Sequence, residues 1–195
     1  MQMGIDIGCS KLAVTSNGQE IPNPDLKKET DNILRYQKTM SHHKKGSIRH
    51  RKAQRLLNKS WQKFLNKRKD NYNKITADIV KNSSFIAVQN ENIKSWIKNK
   101  QLSHSIQLNA PRKLLEKIEQ KCQQENIKFV KVSKFYPSTQ ICSNCQKRNE
   151  NLKGLKNLGI RDWDCPHCHT HHARDRNAAI NILNKGLEIV GTTVQ

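Results

Sequence analysis

The sequence predicts an α/β protein with a mixed sheet and a metal-binding loop inserted near the C-terminus. Short apolar segments typical of strands alternate with segments of helical periodicity along the 195 residues. Two Cys-x2-Cys pairs separated by 19 residues are typical of a zinc site. A net charge of +20 indicates a polyanionic partner, for which nucleic acid is the usual candidate.

Each element follows from its local pattern. In the first strand Ile5 and Ile7 share one face and Asp6 lies on the other, and Asn17-Gly18 forms a turn after the second strand. The apolar run FIAV is typical of a buried central strand, whereas KFVKV alternates. The predicted elements are strands at 3–8, 12–16 and 20–21, a helix at 25–40, a long basic helix to about 81, a strand at 85–88, a loop, a helix at 111–124, a strand at 128–132, the zinc loop at 138–170 and a helix from about 173.

The two cysteine pairs, Cys142 with Cys145 and Cys165 with Cys168, can offer four thiolates to one tetrahedral ion. Zinc is favoured over disulfides because nothing in the chain resembles a signal peptide, and cytosolic thiols favour metal over crosslinks. A histidine near the second pair is the alternative ligand, but four cysteines already complete the coordination shell. The sequence therefore predicts one structural zinc ion.

The sequence also predicts the environment of two cysteines outside the pairs and of one tryptophan beside them. Cys9 and Cys122 are expected to be small buried residues rather than ligands. Trp163, which precedes the second cysteine pair, is expected to pack the zinc loop against the main domain, with stacking on a base as the alternative.

A basic segment lies between His42 and Lys74, where twelve Lys or Arg residues accompany one acid, Asp70. Gly46 and Ser47 predict a turn with Ser47 as the N-cap of the long helix. The apolar stripe of that helix is Leu57, Trp61, Phe64, Leu65, Tyr72, Ile75 and Ile79. A solvated face would carry interleaved Glu, and none is present, so phosphate contact is favoured. The residues expected to contact phosphates are Lys44, Lys45, Arg49, Arg51, Arg55, Lys59, Lys63 and Lys67.

Two aspartates at opposite ends of the chain are candidate metal ligands. Asp6 lies on the first strand between Gly4 and Gly8, which let a ligand approach closely. Each aspartate has an ordinary alternative, an edge carboxylate for Asp6 and a helix-capping acid for Asp175. Carboxylates from a first strand, a central strand end and a late helix are typical of two-metal phosphodiester hydrolysis, with Mg²⁺ ions about 3.5–4 Å apart.

With these motifs the chain resembles the C-terminal half of the transposon-encoded TnpB/OrfB proteins, RNA-guided nucleases related to the ancestors of type V CRISPR effectors. The resemblance is carried, in the family's order, by GIDIGCSKLAVTSNG, SIRHRKAQRLLNKSWQKFLNKRKDNYNKIT, FIAVQNENI, KFYPSTQICSNC, DWDCPHC and ARDRNAAINIL. It implies an α/β fold, an RNase H-like (RuvC) domain with an inserted zinc ribbon that binds target nucleic acid. Residues 1–137 and 171–195, with the basic helices at about 25–81, would form the nuclease domain, and 138–170 the ribbon.

The resemblance also implies site residues. Asp6 and Asp175 match the first and last of three catalytic acids, which would hold Mg²⁺ or Mn²⁺. The middle acid follows an apolar strand in a pattern like E-[DN]-L-N-[VI], and Gln89 stands at its position. A neutral amide cannot charge-balance two divalent ions, so impaired cleavage is expected. Glu91 is a candidate substitute, although a displacement of about 6–7 Å along a strand is large for metal geometry.

Smaller departures concern local turns. Ala173 replaces the acid that commonly precedes Arg174-Asp175, and Gln146 and His169 stand where the ribbon usually has glycine. The resemblance leaves the zinc ligands unchanged but puts the two tight turns in question.

Full-length relatives carry an N-terminal half that grips the guide RNA and the target's flanking motif. This chain is therefore expected to be a truncated gene product, a decayed transposon copy, or a subunit that works with a separate N-terminal half. Two functions follow, a TnpB-type DNA endonuclease or a nuclease-impaired nucleic-acid-binding protein. DNA and guide RNA are the expected partners, a membrane is not, and the expected location is the bacterial or archaeal cytosol near the nucleoid.

Overall fold

A computed structural model describes residues 1–92, 100–154, 157 and 159–192, so part of the predicted loop, residues 93–99, lies outside the described residues. The strands are β1 (Gln2–Ile7), β2 (Ala13–Thr15), β3 (Glu20–Ile21), β4 (Phe85–Gln89), β5 (Lys128–Val132), β6 (Asp162–Asp164) and β7 (His171–Ala173). The helices are α1 (Lys27–Ser41), α2 (Ile48–Lys81), α3 (Lys100–Asn109), α4 (Pro111–Gln124), α5 (Arg174–Thr192) and a short 3-10 helix (Glu150–Leu152).

A five-stranded mixed sheet organises the chain in the order β3-β2-β1-β4-β5. The β1–β2 and β2–β3 pairs are antiparallel, whereas β1–β4 and β4–β5 are parallel. All five residues of β4 are buried, as expected for a central strand that is covered on both faces. The α/β class and the mixed sheet predicted from the sequence are confirmed.

Contacts divide the chain into two compact units. One comprises residues 1–23 and 76–195, and so contains the sheet, the ribbon and α5. The other comprises residues 24–75, and so contains α1 and most of α2.

Two predictions about helices need correction. The segment Lys100–Asn109 forms α3 where the sequence predicts only a loop. Among the side chains of this helix that the structure describes, Ile106 is the only buried one, so the helical pattern is weak. In α2 the predicted stripe is only partly buried, since the side chains of Trp61 and Leu65 are 37% and 44% exposed. The residues buried along the same helix include Ala53, Leu57, Ser60, Phe64, Arg68, Tyr72, Thr76 and Ile79, at steps of three and four.

Candidate metal centres and nucleic-acid interface

The four paired cysteines converge in the ribbon. The sulfur atoms of Cys142, Cys145, Cys165 and Cys168 all lie within 4.8 Å of one another. The Cys142–Cys168 and Cys145–Cys165 sulfur distances are both 3.6 Å. Four sulfurs at about 2.3 Å from a central ion would be separated by about 3.8 Å, so this arrangement can hold one tetrahedral metal ion.

Hydrogen bonds support the sulfur cluster from outside. The Nε2 atom of His172 lies 3.0 Å from Cys142 Sγ, and burial lowers the pKa of His172. A neutral imidazole can therefore donate to this sulfur, which gives the histidine a supporting role outside the four-cysteine group. Hydrogen bonds from Thr170 lower the pKa of the Cys168 thiol to about 5, whereas burial raises the pKa of the Cys142 thiol, so of these two sulfurs Cys168 is the more readily ionised to the thiolate that binds metal.

Trp163 packs inside the ribbon. Its ring centroid lies 4.8 Å from that of His172, and it belongs to a buried cluster with Leu152, Cys142 and Cys165. Its side chain is 7% exposed, so it is not available for stacking on a base. The expected packing role is correct, but the partner is the ribbon's own core.

Each Cys-x2-Cys pair is followed by a residue other than glycine that has a left-handed backbone conformation. Gln146 has φ 61° and His169 has φ 56°. Each follows a Cys-x2-Cys pair, and each donates its backbone N–H to the carbonyl of the first cysteine of that pair, at 2.8 and 2.9 Å. The turns that the sequence put in question therefore form, with non-glycine residues in a conformation that usually favours glycine.

Two asparagines of α5 attach the ribbon to this helix. Asn181 is fully buried and donates to the carbonyls of Ser138 and Ile141 at 2.8 and 2.6 Å. Asn177 donates to the same Ile141 carbonyl and accepts from the Ser143 N–H at 2.8 Å. Sequence reasoning missed this pair, although two asparagines four residues apart on an apolar helix face are a usable signal.

The same helix also carries Asp175, and two glycines let it approach the sheet. A Cβ atom at Gly4 of β1 would collide with the Ala179 carbonyl, and one at Gly186 would lie 2.5 Å from Ala87 Cβ. The backbone of α5 therefore lies directly on β1 and β4. Asp175, in the first turn of α5, reaches the edge of the sheet at which these parallel strands end.

Asp6, Asp175 and Glu91 interact electrostatically at this edge. The pKa of Asp6 is raised well above its usual range by burial, and further by the charges of Asp175 and Glu91. The positive charge of Arg174 opposes this increase. Burial also raises the pKa of Glu91. The structure thus brings together the two predicted aspartates and the candidate substitute acid.

Gln89, at the family's glutamate position, makes structural hydrogen bonds instead. Its buried amide nitrogen donates to the carbonyls of Ser133 and Tyr136 at 3.2 and 2.6 Å. Its amide oxygen accepts from Ser138 Oγ at 2.7 Å. All three partners belong to the loop after β5, so this side chain holds the loop against the sheet.

Glu91 reaches the acid cluster because the chain turns after Gln89. The Glu91 N–H donates to the Gln89 carbonyl at 2.9 Å, the hydrogen bond of a three-residue turn. The displacement expected along a continuing strand therefore does not apply. Sequence spacing alone could not show this turn.

An arginine from the ribbon side also faces the acids. The guanidinium of Arg161 lies 3.7 Å from an Asp175 carboxylate oxygen, and the Arg161 side chain is 56% exposed. The buried Arg174 guanidinium donates to the Ile160 carbonyl at 3.2 Å, and the Arg174 N–H donates to the Arg161 carbonyl at 2.7 Å. These bonds hold the segment that carries Arg161 beside the first turn of α5.

The second unit presents the predicted basic surface. Ser47 caps α2 as expected, accepting from the His50 N–H at 3.2 Å. All eight residues expected to contact phosphates are exposed, although Lys67 already pairs with Glu29 at 3.1 Å. A cavity of about 320 Å³ in this unit is lined by Lys28, Glu29, Asn32, Tyr36, Leu56, Lys59, Ser60 and Lys63. Among the described residues, no helix combines the length and apolar character needed to cross a bilayer.

Comparisons with known proteins agree with these features. Residues 1–100 match the OrfB family profile described as "Probable transposase", and residues 112–182 match the profile described as "Cas12f1-like, TNB domain". The chain is 28% identical over 186 residues to a "Putative RNA-guided DNA endonuclease" of Streptomyces pristinaespiralis, covering 95% of this chain and 45% of that protein. It is 29% identical over 150 residues to a TnpB-like protein of Acanthamoeba polyphaga mimivirus, covering 73% of this chain and 27% of the relative. It therefore spans less than half the length of these relatives.

Solved structures share the fold. A Cas12f1 chain in a complex with sgRNA and target DNA matches with a TM-score of 0.64 and 22% identity, covering 94% of this chain and 49% of that one. A chain of a CRISPR–Cas12f ternary complex matches with a TM-score of 0.63 and 24% identity, covering 94% and 38%. The chain thus has an RNase H-like fold with a four-cysteine ribbon. Its first 100 residues, more than half of its length, match the OrfB family profile. The chain belongs to the TnpB/OrfB family.

Proposed function

We propose that this chain is the RuvC-type catalytic portion of an RNA-guided DNA endonuclease that depends on divalent metal ions. The observation that carries the proposal is the convergence of Asp6, Glu91 and Asp175, which come from β1, the turn after β4 and the start of α5. Burial, and after it the charges of Asp175 and Glu91, raise the pKa of Asp6, so a bound cation would favour the ionised form of this cluster.

The donor set fits hard divalent ions. Three carboxylates offer only oxygen ligands, which Mg²⁺ and Mn²⁺ prefer. In such a site, bound ions activate water and stabilise the leaving oxygen of a phosphodiester. The exposed Arg161 guanidinium, 3.7 Å from Asp175, is close enough to bind a phosphate held at the acids.

In this proposal Glu91 supplies the third negative charge and Gln89 keeps a structural role. The Gln89 amide donates to two backbone carbonyls, which a carboxylate cannot do. A glutamate at position 89 would face the carbonyls of Ser133 and Tyr136 without a hydrogen to offer. Replacing Gln89 by Glu is therefore expected to disturb the loop after β5 rather than to restore a missing ligand.

Substrate binding is assigned to the other two parts of the chain. We assign residues 138–170 to a zinc ribbon that contacts target nucleic acid, and residues 1–137 and 171–195 to the nuclease domain. The basic helices at about 25–81 would contact phosphates of DNA or guide RNA. The net charge of +20 supports this assignment, as do the similar proteins named as an RNA-guided DNA endonuclease and as a complex with sgRNA and target DNA.

The test compares cleavage of single-stranded DNA in Mg²⁺ or Mn²⁺ by the chain and two variants, with Mn²⁺ binding by calorimetry as a second readout. Glu91→Gln should lower the cleavage rate about a hundredfold or more and weaken Mn²⁺ binding, because it removes one ligand charge. Gln89→Glu should not increase the rate. The control is Glu125→Gln, which removes an exposed carboxylate that pairs with Lys121 far along the sequence from the acids.

A nuclease-impaired nucleic-acid-binding protein is the second candidate, and the neutral Gln89 at the family's glutamate position favours it. On that view Gln89→Glu should increase cleavage strongly and Glu91→Gln should change nothing. The same pair of variants therefore separates the two functions. If neither Asp6→Asn nor Glu91→Gln weakened Mn²⁺ binding, the carboxylates would not form the metal site, and the endonuclease proposal would lose its basis.

A further inference from the structure

Phe135 is an exposed aromatic residue in the loop that follows β5. Its side chain is 83% exposed, the largest value among the large apolar side chains of the described residues. Burial of a Phe side chain contributes about 1.5–3 kcal/mol, and packing among the described residues leaves most of that contribution unused at Phe135. An aromatic ring in this position is suited to an external contact.

The loop that carries Phe135 is held in place by hydrogen bonds. The Phe135 N–H donates to Ser133 Oγ at 3.3 Å, and the Tyr136 N–H donates to the Ser133 carbonyl at 3.1 Å. Gln89 binds the carbonyls of Ser133 and Tyr136 from β4. Asn181 of α5 binds the carbonyl of Ser138. The ring is therefore presented from a pre-organised backbone, which lowers the entropic cost of binding.

The loop leaves the sheet at the same edge as the acid cluster. Gln89 pairs with Val132, and Ile5 pairs with Val88, so Asp6 lies beside Gln89 on the next rung. From Asp6 to the last residue of β5 is two strand spacings, or roughly 10 Å. A short stretch of nucleic acid whose phosphate lies at the acids would therefore pass close to this loop.

A cation accompanies the ring. The Lys134 ammonium lies 4.9 Å from the centroid of the Phe135 ring. An aromatic ring beside a lysine is the usual combination for single-stranded nucleic acid, in which bases stack and phosphates are neutralised. With a net charge of +20, this pair suits a polyanionic strand better than the apolar surface of another protein.

We infer that Phe135 is a stacking platform for an unpaired base of the strand bound at the acid cluster, with Lys134 beside a neighbouring phosphate. The inference rests on the proposed function in that it takes the occupant of this edge to be nucleic acid. Gln89 is then a positioning residue for substrate binding, because its amide fixes the loop that presents the ring.

The experiment measures affinity of the whole chain for oligothymidine by fluorescence anisotropy without added Mg²⁺ or Mn²⁺. Phe135→Ala should weaken binding about tenfold to a hundredfold, the range expected for loss of base stacking. Phe135→Trp should retain binding, because indole also stacks. The control is Ile189→Ala, which truncates another exposed apolar side chain, 37% exposed, in the last turns of α5 and outside the basic helices. Because Phe135 is exposed, both variants should fold, which circular dichroism verifies.

A chemical double-mutant cycle then isolates stacking. On an abasic oligomer of equal length, the chain and Phe135→Ala should bind equally, since no base is present to stack. Equal binding of oligothymidine, or a difference that persists on the abasic strand, would overturn the inference. A change in molar mass by light scattering with unchanged DNA affinity would assign the ring to a protein contact and overturn it too. If Phe135→Ala weakens binding only to the strand that has bases, but neither the chain nor any variant cleaves DNA, the stacking inference is supported and the proposed hydrolysis is wrong.

Discussion

The cysteine cluster of the ribbon and the carboxylate cluster at the sheet edge differ in what holds their ligands. The four cysteines lie between residues 142 and 168, joined by two turns and one short hairpin, β6–β7. The three carboxylates, by contrast, come from β1, the turn after β4 and the start of α5, far apart in sequence. Their positions are set by the five-stranded sheet and by the close packing of α5 on Gly4.

This difference assigns opposite roles to metal in the two places. Among the described residues of the ribbon, the buried cluster around the sulfurs contains only Leu152 and Trp163 besides cysteines, so an ion bound by four thiolates would be a large part of that cluster. The acid cluster lies on a sheet that is already packed, where ionised carboxylates repel one another. Metal should therefore hold the ribbon together, whereas at the acids it should relieve a repulsion that the fold tolerates.

The largest expected effect is loss of the ribbon's metal. We expect one zinc ion per chain, and Cys165→Ser should abolish its tight binding and the order of residues 138–170. Structural zinc sites contribute about 10–16 kcal/mol of binding free energy, more than a ribbon of this size can replace. The zinc content by mass spectrometry and the hydrogen exchange of the ribbon measure the effect.

Cys9→Ser is the matched control, because Cys9 lies outside the cluster and this variant should retain one zinc. The sheet should keep its exchange protection in both variants. Loss of protection in β1 and β4 together with the ribbon would show that the two regions share one cooperative unit, and the contrast drawn between them would be wrong.

A smaller effect concerns Asp6 and pH. The unfolded carboxyl ionises near pH 3.9, and the pKa of Asp6 in the folded chain is raised above this value. The folded state therefore holds a proton that the unfolded state has lost, and its stability falls as the pH rises from about 4 through the raised pKa. Asp6→Asn should remove this decrease in the free energy of unfolding.

Urea unfolding between pH 4 and 8 measures the free energy of unfolding of the unaltered chain and of Asp6→Asn, with zinc retained and no other divalent ion added. They should differ least near pH 4, and the Asn variant should become the more stable one as the pH rises. Mn²⁺ should stabilise the unaltered chain and not the variant. Parallel curves without a pH-dependent difference would mean that neither burial nor the charges of Asp175 and Glu91 raise the pKa of Asp6 in the folded chain.

The two regions also differ in how far sequence predicts them. Cysteine spacing predicts the sulfur cluster because turns of fixed length bring its ligands together. The alternation around Asp6 and the apolar run before Gln89 likewise predict β1 and β4 correctly. Which side chain after β4 faces the acids depends on one hydrogen bond, from the Glu91 N–H to the Gln89 carbonyl, and no residue pattern encodes it.

Tertiary contacts explain the remaining misses. Asn177 and Asn181 look like ordinary polar helix residues until α5 places them against the backbone of residues 138–143. Trp163 looks like a residue that could face the main domain or a base, and only the β6–β7 hairpin puts it on His172. The asparagine partners lie 34 to 43 residues away in sequence, so the spacing of the two asparagines marks a helix face without showing what it contacts. Trp163 and His172 are close in sequence, but only the strand register makes them neighbours.

The smallest expected effect concerns the two left-handed turns of the ribbon. A non-glycine residue in this conformation destabilises the fold by about 1–2 kcal/mol. Glycine removes this strain but also raises the conformational entropy of the unfolded chain, which offsets part of the gain. Gln146→Gly and His169→Gly, at φ 61° and 56°, should each stabilise the zinc-bound ribbon by up to about 1 kcal/mol. Hydrogen exchange of residues 138–170 measures this gain, and Lys147→Gly, next to the first turn, is the control that should destabilise.

A loss of protection in both glycine variants would mean that the side chains of Gln146 and His169 make contacts worth more than the backbone strain. The Gln146 amide, which donates to the Ser143 carbonyl at 3.0 Å, is the contact that could produce that result, so His169→Gly is the cleaner measure of strain.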